Sequence, residues 1–485
     1  MISDSHFEQI YQSSNEAASS SNVISSLSWV PRGTFKLVPT ILADTMTEPP
    51  QDIHDSDEMD PSSNEMNDDE DENIQQQPST LGESSSQSTF GGFEKISLEE
   101  LLFKATSGKN LTMYSSNDQD PYLKKGDSDS SEEADFELKP NDLPLVAIHN
   151  EEDGLTTLQV WIYEQEEDNL FIHHDLLLAN YGLCTQWLNL KNINQPGNCI
   201  AIGTFEPQIE IWDLDVVDPI EPIMVLGEQE VDAKKKKKKN AANSAVTSHR
   251  GPILSMSFRS SDSKLASGSE DRSVIIWDLS TQKAFYHLKN VGSSPIQGVQ
   301  FHNTEQHILL ACPIADKCCK VYDARQQSPK PKQYQFSQNG GDAECCLWNP
   351  NNPFEFVVSQ DNGFVTCFDI RKEGSSGPAW NIKAHPDSSC SCLSFSTIKS
   401  NLMASVGSDG CVRLWSTKSN VPELAFTKNV KKSMGEIFTC SFAPTTLNDD
   451  IILAYGGSGG NLGVFNVSAQ AKKGGSSTTA TSSNQ

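Results

Sequence analysis

Between Ile41 and Phe93 the chain carries fourteen carboxylate side chains and no lysine or arginine. Over all 485 residues the net charge is −28. A chain of this charge is repelled by phosphate backbones as a body, so any nucleic-acid contact has to be local. No cysteine precedes Cys184. The twelve cysteines fall as singles and adjacent pairs, such as Cys318-Cys319 and Cys345-Cys346. No CxxC occurs and no Cys/His spacing suits zinc, so neither a metal nor a cofactor is expected. The thiols read as buried and free in a reducing compartment. No apolar run approaches the roughly 18 residues of a membrane helix, and no N-terminal signal pattern is present. A soluble intracellular protein is expected. No Gly-rich phosphate loop stands between a strand and a helix; Gly456 to Gly460, GGSGG, reads as a turn between strands.

Hydrophobic residues make up 36% of the chain, little for one that is folded throughout. What apolar sequence there is comes in short runs that repeat. In Leu265 to Asp278, LASGSEDRSVIIWD, two runs flank a polar turn. Ser267, Asp271 and Trp277 sit at separations of four and six, and His249 lies eighteen residues before Ser267. Ser405, Asp409 and Trp415 repeat the spacing, with His385 twenty residues before Ser405. A buried Asp is costly unless it is paired, and these residue types can satisfy one another. The two sets resemble the hydrogen-bonded set of a WD40 repeat. In that setting they are structural rather than catalytic.

Repeat ends recur at Val160 to Tyr163, Trp212-Asp213, Trp277-Asp278, Tyr322-Asp323, Phe368-Asp369, Trp415-Ser416 and Phe465-Asn466. Seven units that cannot bury both faces alone predict an all-β, seven-bladed WD40 β-propeller. Val23 to Pro31 reads as the first strand of a repeat that is then interrupted. Leu143 to Ile148, Leu158 to Tyr163 and Asn169 to His174 would complete it. The last repeat lacks an outer strand; Leu111 to Tyr114 is the candidate to supply it, and Phe7 to Tyr11 the alternative. Residues 1–40 are expected to contribute a strand, 41–110 to form a long disordered acidic insertion, 111–467 to form the propeller and 468–485 a disordered tail. Ile96 to Ala105 has helical spacing and reads as a docking helix or a helix without a role. Asn362 stands at the Asp position before Phe368, and the Tyr322 repeat shows no clear turn Asp with a partner His. Those blades should depend more on apolar packing.

Within the insert at 227–248, Lys234, Lys235, Lys236, Lys237, Lys238 and Lys239 form an unbroken basic run. Six like charges cannot pack together, so this is a solvated loop, suited to an import receptor or an RNA backbone, or to no more than a spacer. Ser130, in SDSSEE, suits an acid-directed kinase. His173-His174-Asp175 looks like a metal or acid–base site, but strand neighbours face opposite ways, so the two imidazoles are not expected to share an ion.

SNDQDPY from Ser116, YEQEEDNLFIHHDLLLANY from Tyr163 and WLNL from Trp187 are similar to the periodic tryptophan protein 1 family, with a likeness running in gaps from about Ser25 to Val467. The resemblance implies a nucleus- and nucleolus-located, non-catalytic scaffold of large-subunit ribosome biogenesis and pre-rRNA processing. Its implied partners are assembly factors and pre-ribosomal particles, with rRNA and histones further candidates, and neither a membrane nor a small-molecule substrate. One alternative is a histone-binding regulator of rRNA gene transcription. Another is a substrate receptor of a cullin-RING ubiquitin ligase, because Tyr322-Asp323-Ala324-Arg325 and Phe368-Asp369-Ile370-Arg371 approximate the WDxR ending of such receptors.

Overall fold

The computed structural model describes residues 22–41, 137–152, 154–227, 248–325, 330–336, 340–372 and 377–469. Ser130, Lys234 to Lys239, the Ile96 to Ala105 stretch and both candidate closing strands lie outside them.

The described strands form seven antiparallel blades, six of four strands and a last one of three, plus one two-stranded parallel pair. The first strands of successive blades touch one another in a closed cycle, so they surround the axis. They are Val23–Trp29, Gly182–Leu188, Ile253–Arg259, Ile296–Phe301, Ala343–Trp348, Cys390–Phe395 and Ile437–Phe442. Each carries a register shift near its start, from Ile24/Ser26 in the first blade to Ile437/Thr439 in the seventh. The extra residue increases the local twist where the blades crowd together. Second strands such as Leu402–Gly407 and Ile452–Gly457 are buried along their whole length. They are covered on both faces by neighbouring blades, so they read as continuous apolar runs rather than as alternation.

Inner strands are sheet edges, and their outward N–H groups have no partner in their own blade. The neighbouring blade supplies one. Ser255 and Ser257 hydroxyls accept from the N–H groups of Val299 at 3.1 Å and Phe301 at 3.0 Å. Ser26 accepts from Thr185 N–H, and Ser394 from Phe442 N–H, both at 3.0 Å.

The first blade is split. Val23–Trp29 pairs with Leu143–Asn150, which continues through Thr156–Glu164 to an outer strand, Asn169–Leu178. That outer strand runs four residues past the expected end at His174. The ring closes where this blade meets the seventh. Ile24, Leu27 and Trp29 pack with Leu145, Ala147, Ala443, Ile452 and Ala454 in one buried cluster. Trp29 Nε1–H donates to Ser441 O at 2.9 Å, and Gln165 Nε2–H donates to Leu447 O and Asp450 Oδ2 at 2.9 Å each. GGSGG is only partly the expected turn, because Gly456 and Gly457 end a strand, Ile452–Gly457. A Cβ on Gly456 would stand 2.7 Å from Ile24, and one on Gly457 1.8 Å from Glu436 O. The approach of the first blade therefore requires glycine at 456, and the packing of the seventh blade's own entry link requires it at 457.

Strand direction alternates within a blade, so loops sort onto two faces. The turn from second to third strand and the link to the next blade share the upper face. The other two connections share the lower face. The chain leaves the first blade for residues 42–136 on the lower face, where Thr40–Ile41 pairs with Val216–Val217 and Leu138 N–H meets Leu37 O at 2.8 Å. The stretch containing Lys234 to Lys239 leaves from the upper face, between Met224–Leu226 and Ile253–Arg259.

Trp29→Phe should cost about 1 kcal/mol through the lost indole bond. Trp29→Ala should cost about 3–5 kcal/mol through the cavity. Urea unfolding checks both; an alanine variant as stable as the parent would mean that the ring is not held here.

Candidate functional site

The two spaced sets assemble on the third and sixth blades. In the third, Trp277 Nε1–H donates to Ser267 Oγ at 2.8 Å. Ser267 Oγ lies 2.7 Å from His249 Nε2, and His249 Nδ1 lies 3.1 Å from Asp271 Oδ2. Asp271 also accepts from Arg250 N–H and from the Ser273 hydroxyl. In the sixth, Trp415 Nε1 and His385 Nε2 each lie 2.9 Å from Ser405 Oγ, and His385 Nδ1 lies 3.0 Å from Asp409. Arg413 adds an ion pair to Asp409 at 2.7 Å. Because Asp accepts from Nδ1–H, the tautomer leaves Nε2 to accept from the serine.

The order Asp, His, Ser imitates a hydrolase triad, but its chemistry is closed off. Ser267, Ser405, His249 and His385 are all 0% exposed, and an indole N–H caps each hydroxyl. Burial alone would raise the Asp271 and Asp409 carboxyls; the hydrogen bonds from His249 and His385, joined by Ser273 and Arg250 at the first and Arg413 at the second, outweigh it and hold both well below the usual range. The arrangement ties a turn to the link entering the same blade.

The other blades reach the same end differently. In the Tyr322 repeat, where no clear turn Asp with a partner His is expected, Asp316 occupies the turn, six residues before Tyr322, the interval that separates Asp271 from Trp277, and its partners are not histidine. Its carboxylate accepts from Ser293 N–H, from the Ser293 and Ser294 hydroxyls and from the buried Lys320 ammonium at 3.0 Å. An ammonium and two hydroxyls stand where the imidazole would be. The blade with Asn362 rests on aromatic packing, with Tyr334, Phe336, Trp348, Phe356 and Phe368 in one cluster.

Cys312, in the strand position that Ser267 holds, forms a disulfide with Cys319, with Cα atoms 4.6 Å apart. The expectation of free thiols throughout is corrected for this pair. The two cysteines face each other directly across a hairpin, within bridging distance. Ten cysteines stay free. Burial pushes the Cys184 and Cys346 thiols up to about 12, which disfavours nucleophilic or metal-binding thiolate. Among the described residues no three His, Cys, Asp or Glu side chains gather as a metal site.

The two histidines of His173-His174-Asp175 do meet: His173 Nδ1 and His174 Nδ1 are 2.7 Å apart. The expected strict alternation fails because the pairing shifts between Val160 and Trp161, where His174 and Ile172 are the partners and His173 is the extra residue. Burial, then the neighbouring His173, pushes the His174 pKa down to about 3. Arg325 and Arg371, the residues of the WDxR-like endings, each fork onto the Asp two residues earlier, Asp323 and Asp369. That pairing explains both within their own blades.

A family model described as the nucleolar protein 10-like N-terminal domain matches residues 177–329, and the WD domain, G-beta repeat, model matches 377–416. The chain is 30% identical over 335 residues to the periodic tryptophan protein 1 homolog of Drosophila melanogaster, covering 68% of this chain and 69% of that one. It belongs to the periodic tryptophan protein 1 family. Periodic tryptophan protein 1 of Saccharomyces cerevisiae is 29% identical to it, covering 67% of this chain and 64% of the relative. A more distant likeness, 28% over 121 residues, 25% of this chain and 26% of the other, is to the ribosome biogenesis protein WDR12 homolog of Oryza sativa subsp. japonica. The chain is thus a member of a WD40 scaffold family, and the spaced sets of its propeller are a buried polar framework.

Two tests follow from the networks. Ser267→Ala leaves an indole N–H and a ring nitrogen without partners and should cost about 1–3 kcal/mol in urea unfolding. The folded pKa of His174 lies below the unfolded value near 6.5, so acid favours the unfolded chain from about pH 6.5 down to about 3, by up to about 1.4 kcal/mol per pH unit. His174→Leu should flatten the fall of melting temperature between pH 7 and pH 4; an unchanged profile would assign that fall to other groups.

Proposed function

We propose that the protein is a non-catalytic scaffold of large-subunit ribosome biogenesis, acting in the nucleolus on particles in which pre-rRNA is processed. Membership of the periodic tryptophan protein 1 family carries this reading, and the likeness to a protein named for ribosome biogenesis supports it. A closed ring of seven blades offers two faces and a circumference for docking, and the reading needs no reaction centre. The direct partners are assembly factors held on the rims. Lys234 to Lys239, on the upper-face link, serve an import receptor or an RNA backbone, and Ser130, in the acidic insertion, is a kinase site.

Gradient sedimentation of the tagged full chain, with pre-rRNA probed across the fractions, tests the reading. Co-migration with large-subunit precursors that collapses after RNase treatment is expected. A light peak, or an RNase-resistant chromatin fraction, would overturn it in favour of a histone-binding role.

A further inference from the structure

In six of the seven blades the turn between second and third strands holds one residue in the left-handed region. These are Gly154, Arg272, Lys317, Gly363, Gly410 and Gly460, with φ of 87°, 64°, 53°, 80°, 66° and 67°. Arg272 N–H closes its turn onto Ser269 O, as Gly410 N–H does onto Gly407 O. In the blades from third to sixth the carbonyl of this residue accepts an N–H from the following link, from Val291, Phe336, His385 and Val430 in turn. Glycine adopts this conformation freely, whereas a Cβ disfavours it. Two adjacent blades nevertheless carry a cation there. Lys317 is paired with Asp342. Arg272 is exposed, and its guanidinium has no partner among the described residues. The turn's hydrogen bonds fix the backbone; no local contact explains why the side chain held on it is an arginine, which points to what that side chain is presented to.

Two more exposed cations flank it, also without side-chain partners among the described residues. Arg250 sits beside the turn, because its N–H donates to Asp271 Oδ2 at 3.0 Å. Lys289 lies in the link whose Val291 N–H meets Arg272 O at 3.0 Å. Behind them His287 has two buried ring nitrogens with no hydrogen-bond partner. Its pKa is lowered by burial and by the nearby charges of Lys289 and Arg250, with Asp271 opposing. Of the carboxylates here, Asp271 is turned inward to His249 and Ser273. Glu270 stands beside Gly251, its pKa raised by burial and by the charge of Asp271, so three cations face two carboxylates. The corner is positive in a chain of net charge −28.

We propose that Arg250, Arg272 and Lys289 form a phosphate-backbone-binding surface for RNA on the upper rim of the third blade, a surface that rests on the reading of the protein as an assembly factor of RNA-containing particles. Three cations from three chain segments, fixed on tight turns, suit a partner whose charges repeat along a backbone. Such contacts position a nucleic acid without reading its sequence. An import receptor reading the Lys234 to Lys239 run would have no need of a strained arginine on a folded turn.

The test is binding of fluorescein-labelled polyuridylate to the full chain across a salt titration. The triple variant Arg250→Ala, Arg272→Gly, Lys289→Ala should bind at least about tenfold more weakly at low salt. Its slope of log affinity against log salt should shrink by about 2, at about 0.7 per lost phosphate contact on a single strand. Arg272→Gly alone restores the residue that the first, fifth, sixth and seventh blades use, so its melting temperature should hold or rise while binding weakens. That combination separates lost contact from lost folding. A parent chain that does not bind polyuridylate, or a triple variant with the parent's affinity and slope, overturns the proposal. Equal binding of polyglutamate with the same loss in the variant also overturns it, in favour of an acidic protein partner. Loss of co-sedimentation with precursors while polyuridylate binding persists would instead sink the assembly-factor reading and leave this surface standing.

Discussion

The contact between the first and seventh blades is what the other six junctions depend on. Those six join neighbours in the chain and would form in any open stack. The seventh joins Ile24 and Trp29 to Ile452 and Ala454, from opposite ends of the described chain. Without it two blades would each expose an apolar face and a row of unpaired N–H groups, an invitation to associate with other chains. Closure removes both liabilities, and it depends on Gly456, where a Cβ would run into the Ile24 side chain of the first blade.

Within that constraint the blades solve one problem in several chemistries. Each must hold a turn against the link arriving from its neighbour. The third and sixth use an indole, a hydroxyl, an imidazole and a carboxylate in series. The fourth substitutes an ammonium and two serines around Asp316, and beside it closes a disulfide between its second and third strands. The fifth leans on five aromatic side chains. In the third and sixth blades the serine and histidine of the network are fully buried.

Much of the architecture was legible in the sequence because it rests on spacing. The recurrent aromatic strand ends set the number of blades, and the separations of His249, Ser267, Asp271 and Trp277 encode contacts that the turn geometry enforces. What escaped was what spacing does not carry. Asp316 stood at the right interval from Tyr322, but its partners Ser293 and Lys320 are not imidazoles, and a search for histidine passes over them. The meeting of His173 and His174 depends on a bulge, and a one-residue shift in pairing has no signature in the residues themselves. Nothing in the sequence marks Arg272; only its backbone conformation, shared with glycines in other blades, sets it apart. The Cys312–Cys319 pair depends on which residues face each other across a hairpin, a matter of register.

The split first blade makes the molecule two pieces that happen to share a chain. Residues 22–41 and 137–469 hold each other through sheet pairing, the buried cluster at the closure, and contacts such as Arg32 Nε–H to Pro140 O at 2.8 Å. Joining the two through a longer tether costs only about 0.6 kcal/mol per doubling of its length. A protease cut between 42 and 136 would therefore leave a ring held together without the covalent link, the behaviour of a fragment-complementation pair. During synthesis the same arrangement makes the first strand wait, because its partners emerge only after the whole intervening stretch has been made.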